Sequence, residues 1–168
     1  MPGYLKKGFT FIELLVGIAI FAVVLSIVLI ATNPVHQYAE DNNTKRAVDV
    51  NTILDAIHQY ETDNHGALPA GMPAKAAPKA TKPATGIEIT NQGSAKADIC
   101  AAISPAYVSA LPVDTNIDNG QGKGMAVINC TASYHTGYSV WVDSAGKITV
   151  FADDTDTTVA PAIISVTR

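Results

Sequence analysis

At 168 residues the chain has room for one ordinary domain and little more. Charged residues are 15% of it against 48% apolar, and the net charge of −4 excludes a general nucleic-acid binder built on clustered lysine and arginine. Much of the imbalance sits in one run: Leu14 to Ala31 carries no charge, and Ser26 is its one clearly polar side chain.

A helix needs about 20 residues, at about 1.5 Å each, to cross the hydrocarbon of a bilayer. Leu14 to Thr32 nearly spans it, and Phe9, Phe11 and Ile12 lengthen it at the N-terminal end. A removed secretory signal has a shorter apolar region, about 7 to 15 residues, so this run reads as a single membrane pass. Lys6 and Lys7 precede it and the next Lys or Arg is Lys45. Positive charge stays on the cytoplasmic side, which orients the N-terminus inside and the remaining roughly 130 residues outside. One residue is out of keeping with the run. Glu13 places a carboxylate just inside it, at a cost of about 2.5–3.5 kcal/mol at mid-bilayer and less near an interface, and such residues are functional by default. The plain alternative is a signal anchor with an incidental carboxylate.

The string Lys6-Lys7-Gly8-Phe9-Thr10-Phe11-Ile12-Glu13-Leu14-Leu15 resembles the prepilin leader and processing site of type IV pilins and type II secretion pseudopilins. The resemblance implies cleavage between Gly8 and Phe9 by a prepilin peptidase, then N-methylation of Phe9. It also implies that Glu13 offers its negative charge to the amino terminus of a neighbouring subunit. Physics agrees: cleavage makes a cation at Phe9, one helical turn from Glu13, and a buried charge is tolerable only when paired. Loss of Lys6 and Lys7 leaves nine basic against fifteen acidic side chains, or −6. Many pilins carry a helix-breaking proline within the apolar half, whereas this run has only Gly17. Its first proline is Pro34, which has no N–H for the carbonyl of Ile30, so a kink is expected between Ile30 and Pro34.

The organisation that follows is a leader (1–8), a transmembrane assembly helix (9–34) and an exported head (35–168). Within the head, 35–63 keeps a helical period: Ala47, Val50, Ile53, Leu54, Ile57 and Tyr60 form one apolar stripe, with Asp41, Lys45, Asp49, Thr52 and Gln59 on other faces. The expectation is one helix from about Phe9 to Asp63, roughly 80 Å long, ended by Asn64-His65-Gly66 with Pro69 beyond. Pilins end this helix similarly, with an Asn-Gly and a Pro. The Pro/Ala/Lys-rich stretch 70–86, with Pro73, Pro78 and Pro83, reads as a semi-extended surface loop, and Lys75, Lys79 and Lys82 on it as solvated charge. No aromatic residues interleave for base stacking, so nucleic acid is not the expected partner.

Further along, Ile87 to Thr90 is a candidate strand and Ala95 to Ile103 a candidate short helix stopped by Ser104-Pro105. Tyr107 to Asp114 resembles the Tyr-x-x-x-Leu-Pro-x-Asp stretch that leads into the sheet of major pseudopilins. Strands are expected at Met125–Asn129, Tyr138–Val142 and Lys147–Ala152, the last two a hairpin turning at Asp143-Ser144-Ala145-Gly146. Ile163, Ile164 and Val166 add an edge strand or a docked tail. The fold class is α+β: a long N-terminal helix, membrane-spanning then amphipathic, on a small antiparallel sheet.

Cys100 and Cys130 both lie on the exported side, where an oxidising exterior lets them pair. Asp114, Asn116 and Asp118 set oxygen-bearing side chains at alternate positions, a spacing that suits Ca²⁺. The loop departs from an EF-hand, however, with its glycine one place late and Met125 at the twelfth position, and a polar turn is the plainer reading. No other cofactor is expected. His36, His58, His65 and His135 have no metal-ligand spacing, and Ser133, His135 and Ser139 lack the elbow and oriented acid of a hydrolase. The chain therefore reads as a building block and not an enzyme. The resemblance implies a subunit of a type IV pilus-like filament, or alternatively a major pseudopilin of a secretion or DNA-uptake system. Its partners would be like subunits, the prepilin peptidase, an assembly platform in the membrane and, before assembly, the bilayer. An anchored binding or enzymatic head is the alternative from another class.

Overall fold

The first helix, α1, runs Phe11–Thr32 in a computed structural model that describes residues 8–161 and 163–168. The expected leader, Met1 to Gly8, thus lies outside the described residues save for Gly8. Thr10 caps α1 in extended backbone, and Asn33 closes it in the left-handed region at φ 36°. Asparagine tolerates that conformation. The second helix, α2, then begins at Pro34 and runs Pro34–Asp63, with proline in the first helical position where its missing N–H costs nothing. The expected single helix is thus two, broken inside the interval where Pro34 deprives Ile30 of a donor.

The described residues form two units, one ending at Tyr38 and the other running Ala39–Arg168. In the second, α2 packs on a four-stranded antiparallel sheet, β1 (Ile87–Thr90), β2 (His135–Val142), β3 (Ile148–Ala152) and β4 (Ile164–Thr167), in the order β1-β2-β3-β4. The register lines up Ile87, Val140, Val150 and Val166 across one face. Val50, Ile53, Leu54 and Ile57 of α2 and Tyr138, Val140, Val142, Ile148 and Val150 of the sheet are all fully buried in one core. Each such aliphatic side chain contributes about 1.5–3 kcal/mol on burial. The hairpin turns where expected: Asp143 Oδ1 accepts from the N–H groups of Ala145 and Lys147, and Gly146 supplies φ 93°. The expected edge strand at Ile163, Ile164 and Val166 is β4, Ile164–Thr167, with Ile163 just outside it.

Three local expectations are corrected. Only Cys100–Ile103 is helical (α3), because Ala97 donates to the carbonyl of Glu88 and the chain before it runs along the edge of β1. Met125–Asn129 is no strand but a single bridge, Leu111 to Val127. Beyond Pro112 the chain turns to other partners: Asp114 N donates to Thr136 O, and Lys45 Nζ to Val113 O. The loop 70–86 has no regular structure, as its prolines require, yet its second half is not free. Glu88, Ser139, Phe151 and Ser165 lie in register on the other face of the sheet. Lys82 donates to Ser165 Oγ at 2.9 Å and stands 5.2 Å above the Phe151 ring, while Gly86 N donates to Ser139 Oγ at 2.9 Å. A Cβ on Gly86 would fall 2.5 Å from the carbonyl oxygen of Val140, so only glycine lets this strap lie so close to β2.

Cys100 and Cys130 are joined, tying α3 to the segment before β2 across 30 residues of chain. Loop-closure bookkeeping assigns such a bridge about 3–4 kcal/mol. Reduction is therefore expected to lower the melting temperature of the head by about 10 °C. Circular dichroism of the detergent-solubilised chain with and without reductant checks this, and an unmoved transition would show the bridge energetically idle.

Candidate functional site

Two regions concentrate chemistry. The first is the start of α1. Thr10 Oγ1 accepts from the backbone N–H of Glu13 at 3.3 Å, and Glu13 Oε2 accepts in return from Thr10 N at 3.5 Å and Thr10 Oγ1 at 3.3 Å. This reciprocal capping box satisfies donors that a helix start leaves open. The carboxylate also lies near the positive end of the helix dipole. The Thr-x-x-Glu spacing carries that signal, and reading Glu13 only as an assembly charge misses it. Gly8 and Phe9 sit just before the cap, both exposed and in no regular element.

From Phe11 to Leu29, α1 presents apolar side chains on every side: Phe11, Ile18, Phe21 and Leu29 are all more than 60% exposed. A helix apolar all round is normally enclosed by lipid or by other protein, and α1 is long and apolar enough to cross a membrane.

The second region is the polar centre of the head. Arg46 and Asp114 are fully buried and paired, Nε to Oδ2 at 2.5 Å and Nη2 to Oδ1 at 3.1 Å. Arg46 Nη1 also donates to Asn43 Oδ1 at 2.9 Å, and Asn116 N donates to Asp114 Oδ1 at 2.8 Å. Asp49, expected on an outer face of the helix, is buried instead. Its Oδ2 accepts from the Tyr138 hydroxyl at 2.7 Å and from Lys45 Nζ at 2.8 Å. Burial, and then the bond to Asp49, push the Tyr138 phenol well above its ordinary range. These pairs fasten α2 to β2 and to the Leu111–Asp114 segment. Periodicity held the clue, since Arg46 falls four residues before Val50 on the apolar stripe.

The three residues weighed for calcium face separate partners. Both oxygens of Asp114 are taken by Arg46, Asn116 Nδ2 donates to Asp154 at 3.4 Å, and Asp118 Oδ1 accepts from Gly120 N at 3.1 Å. The described residues contain no group of three or more His, Cys, Asp or Glu placed to share a metal ion.

An apolar helix able to span a bilayer and an α+β head fit a membrane-anchored protein assembled at the cell surface. Residues 5–29 match the family model of the prokaryotic N-terminal methylation motif, the signature of type IV pilins and pseudopilins. The motif supports a pilin-like or pseudopilin subunit and points to a structural protein, not an enzyme; it implies processing by a prepilin peptidase and assembly into filaments. No curated protein and no solved structure matches the chain.

Proposed function

We propose that this chain is the structural subunit of a type IV pilus-like filament, assembled through α1 after removal of Met1 to Gly8 and methylation of the Phe9 amine. The observation that carries the reading is the methylation motif over residues 5–29, which takes in most of an exposed apolar helix with Glu13 in its first turn. Before assembly lipid covers that helix, with the N-terminus inside and the head outside; in the filament, like subunits cover it. Glu13 then meets the amine of a neighbouring Phe9. The Tyr107 to Asp114 stretch favours a second reading, the major pseudopilin of a secretion system, which uses the same assembly chemistry.

The test is intact-mass analysis of the mature protein together with electron microscopy of sheared surface material. The expected mass lacks residues 1–8 and carries one added methyl group, about 14 Da. Long exterior filaments containing this chain identify a pilus, and assembly confined to the envelope identifies a pseudopilus. A mature chain beginning at Met1, or after Ala31, would overturn both.

A further inference from the structure

Gly17 lies in the interior of α1, where glycine costs about 0.5–1 kcal/mol relative to alanine. Its own chain does not require it. The residue is in ordinary helical backbone, and a Cβ built there meets nothing within 4 Å. What the missing side chain does is open a groove of about 290 Å³ lined by Phe9, Glu13, Leu14, Gly17, Ile18 and Phe21. Glu13, Gly17 and Phe21 recur every fourth residue and so follow one line down the helix, with Phe9 just ahead of its N-cap. Phe21 and Phe9 are 66% and 77% exposed, so two aromatic rings stand at the ends of a gap beside the carboxylate.

We infer that this groove is a docking notch for the stem of a second copy of the chain, and that Gly17 is the positioning residue that sets how closely that stem approaches Glu13. In lipid there is no hydrophobic drive between helices; close packing decides association, and small residues permit it. An acyl chain would fill the groove equally well by shape but brings nothing for the carboxylate. A second processed stem brings an amine, whose charge complements Glu13, and absence of a side chain at position 17 lets its backbone close in. The inference rests on the filament reading and adds to it a residue that acts only between copies.

The experiment is a size series, Gly17→Ala, Gly17→Val and Gly17→Leu, in the full chain expressed with its assembly machinery. Membrane insertion and leader cleavage are expected at wild-type levels in all three, because the helix has open space there. Filament yield should fall in order of side-chain volume, with Gly17→Leu down at least about tenfold. A photoreactive residue at Ile18 should crosslink to a second copy of the chain. Equal loss in all three variants would make backbone flexibility the cause and overturn the notch. So would undiminished filaments, or crosslinks to lipid alone, and in each case wild-type filaments leave the pilin reading standing. A wild-type chain that makes no filaments would overturn both.

Discussion

Asp114→Ala and Arg46→Ala are each expected to destabilise the head by about 3–5 kcal/mol, since removing one partner of a buried pair leaves the other charged without its close counter-ion; for Arg46 the exposed Asp154, at 3.9 Å, is a weak substitute. For a unit of this size that lowers the melting temperature by about 10–20 °C. Asp114→Asn is nearly isosteric and keeps hydrogen-bonding atoms near Arg46, yet removes the charge; its loss should approach that of alanine. The double variant Arg46→Met with Asp114→Leu replaces the pair by apolar side chains and should recover much of the difference, with a coupling of about 2 kcal/mol or more between the sites. Thermal denaturation of the detergent-solubilised full chain, followed in the near ultraviolet through Trp141 and the tyrosines, measures all four. Single variants that melt within a few degrees of wild type would mean that solvent reaches the pair and that Asp114 is free for other work.

That pair marks where sequence reading stops. Period-3.6 spacing identified the stripe of Val50, Ile53, Leu54 and Ile57, and period-2 alternation placed Tyr138, Val140 and Val142 on the core face of β2, because burial of apolar side chains imposes those periods directly. Polar residues on the same helix carry no such mark. Asp49 looked like an outer-face residue because a charge is assumed solvated, and its burial depends on a tyrosine 89 positions away. Arg46 likewise depends on a partner 68 positions along. Such long-range pairings follow from topology, which a local pattern does not contain.

The loops divide in the same way. The prolines of 70–86 forbid a helix or a central strand, and that much is local. The strap laid by Lys82, Thr85 and Gly86 across Ser139, Phe151 and Ser165 is set by the register of three strands, so linker composition reveals nothing of it. At the N-terminus the balance reverses. The methylation motif over residues 5–29 is one short continuous string, so it was legible without any tertiary partner. Gly17 was visible as a letter, but the groove it opens needs the helix geometry around it.

Glu13→Ala is expected to insert and be processed normally, because the variant removes the one charged side chain of α1 and with it an insertion penalty. Filaments should nevertheless be nearly absent: an incoming Phe9 amine would be buried without a counter-charge, and a deficit of about 3 kcal/mol already weakens association more than about 100-fold. Alanine alone does not prove that point, since it also destroys the capping box with Thr10, worth about 1 kcal/mol to the start of α1. Glu13→Gln separates the two roles. Glutamine at this position still reaches back to the Thr10 N–H, so the cap survives while the negative charge is lost. Thr10→Ala is the reciprocal case, weakening the cap and keeping the charge. If pairing with a neighbouring amine governs assembly, Glu13→Gln should fail nearly as completely as alanine and Thr10→Ala should lose severalfold at most. Fractionation establishes insertion, mass analysis establishes cleavage, and counting filaments per cell gives the yield for each variant. Wild-type yield from Glu13→Gln would reduce the carboxylate to a helix cap, and the force that brings stems together would then have to come from packing along α1 alone.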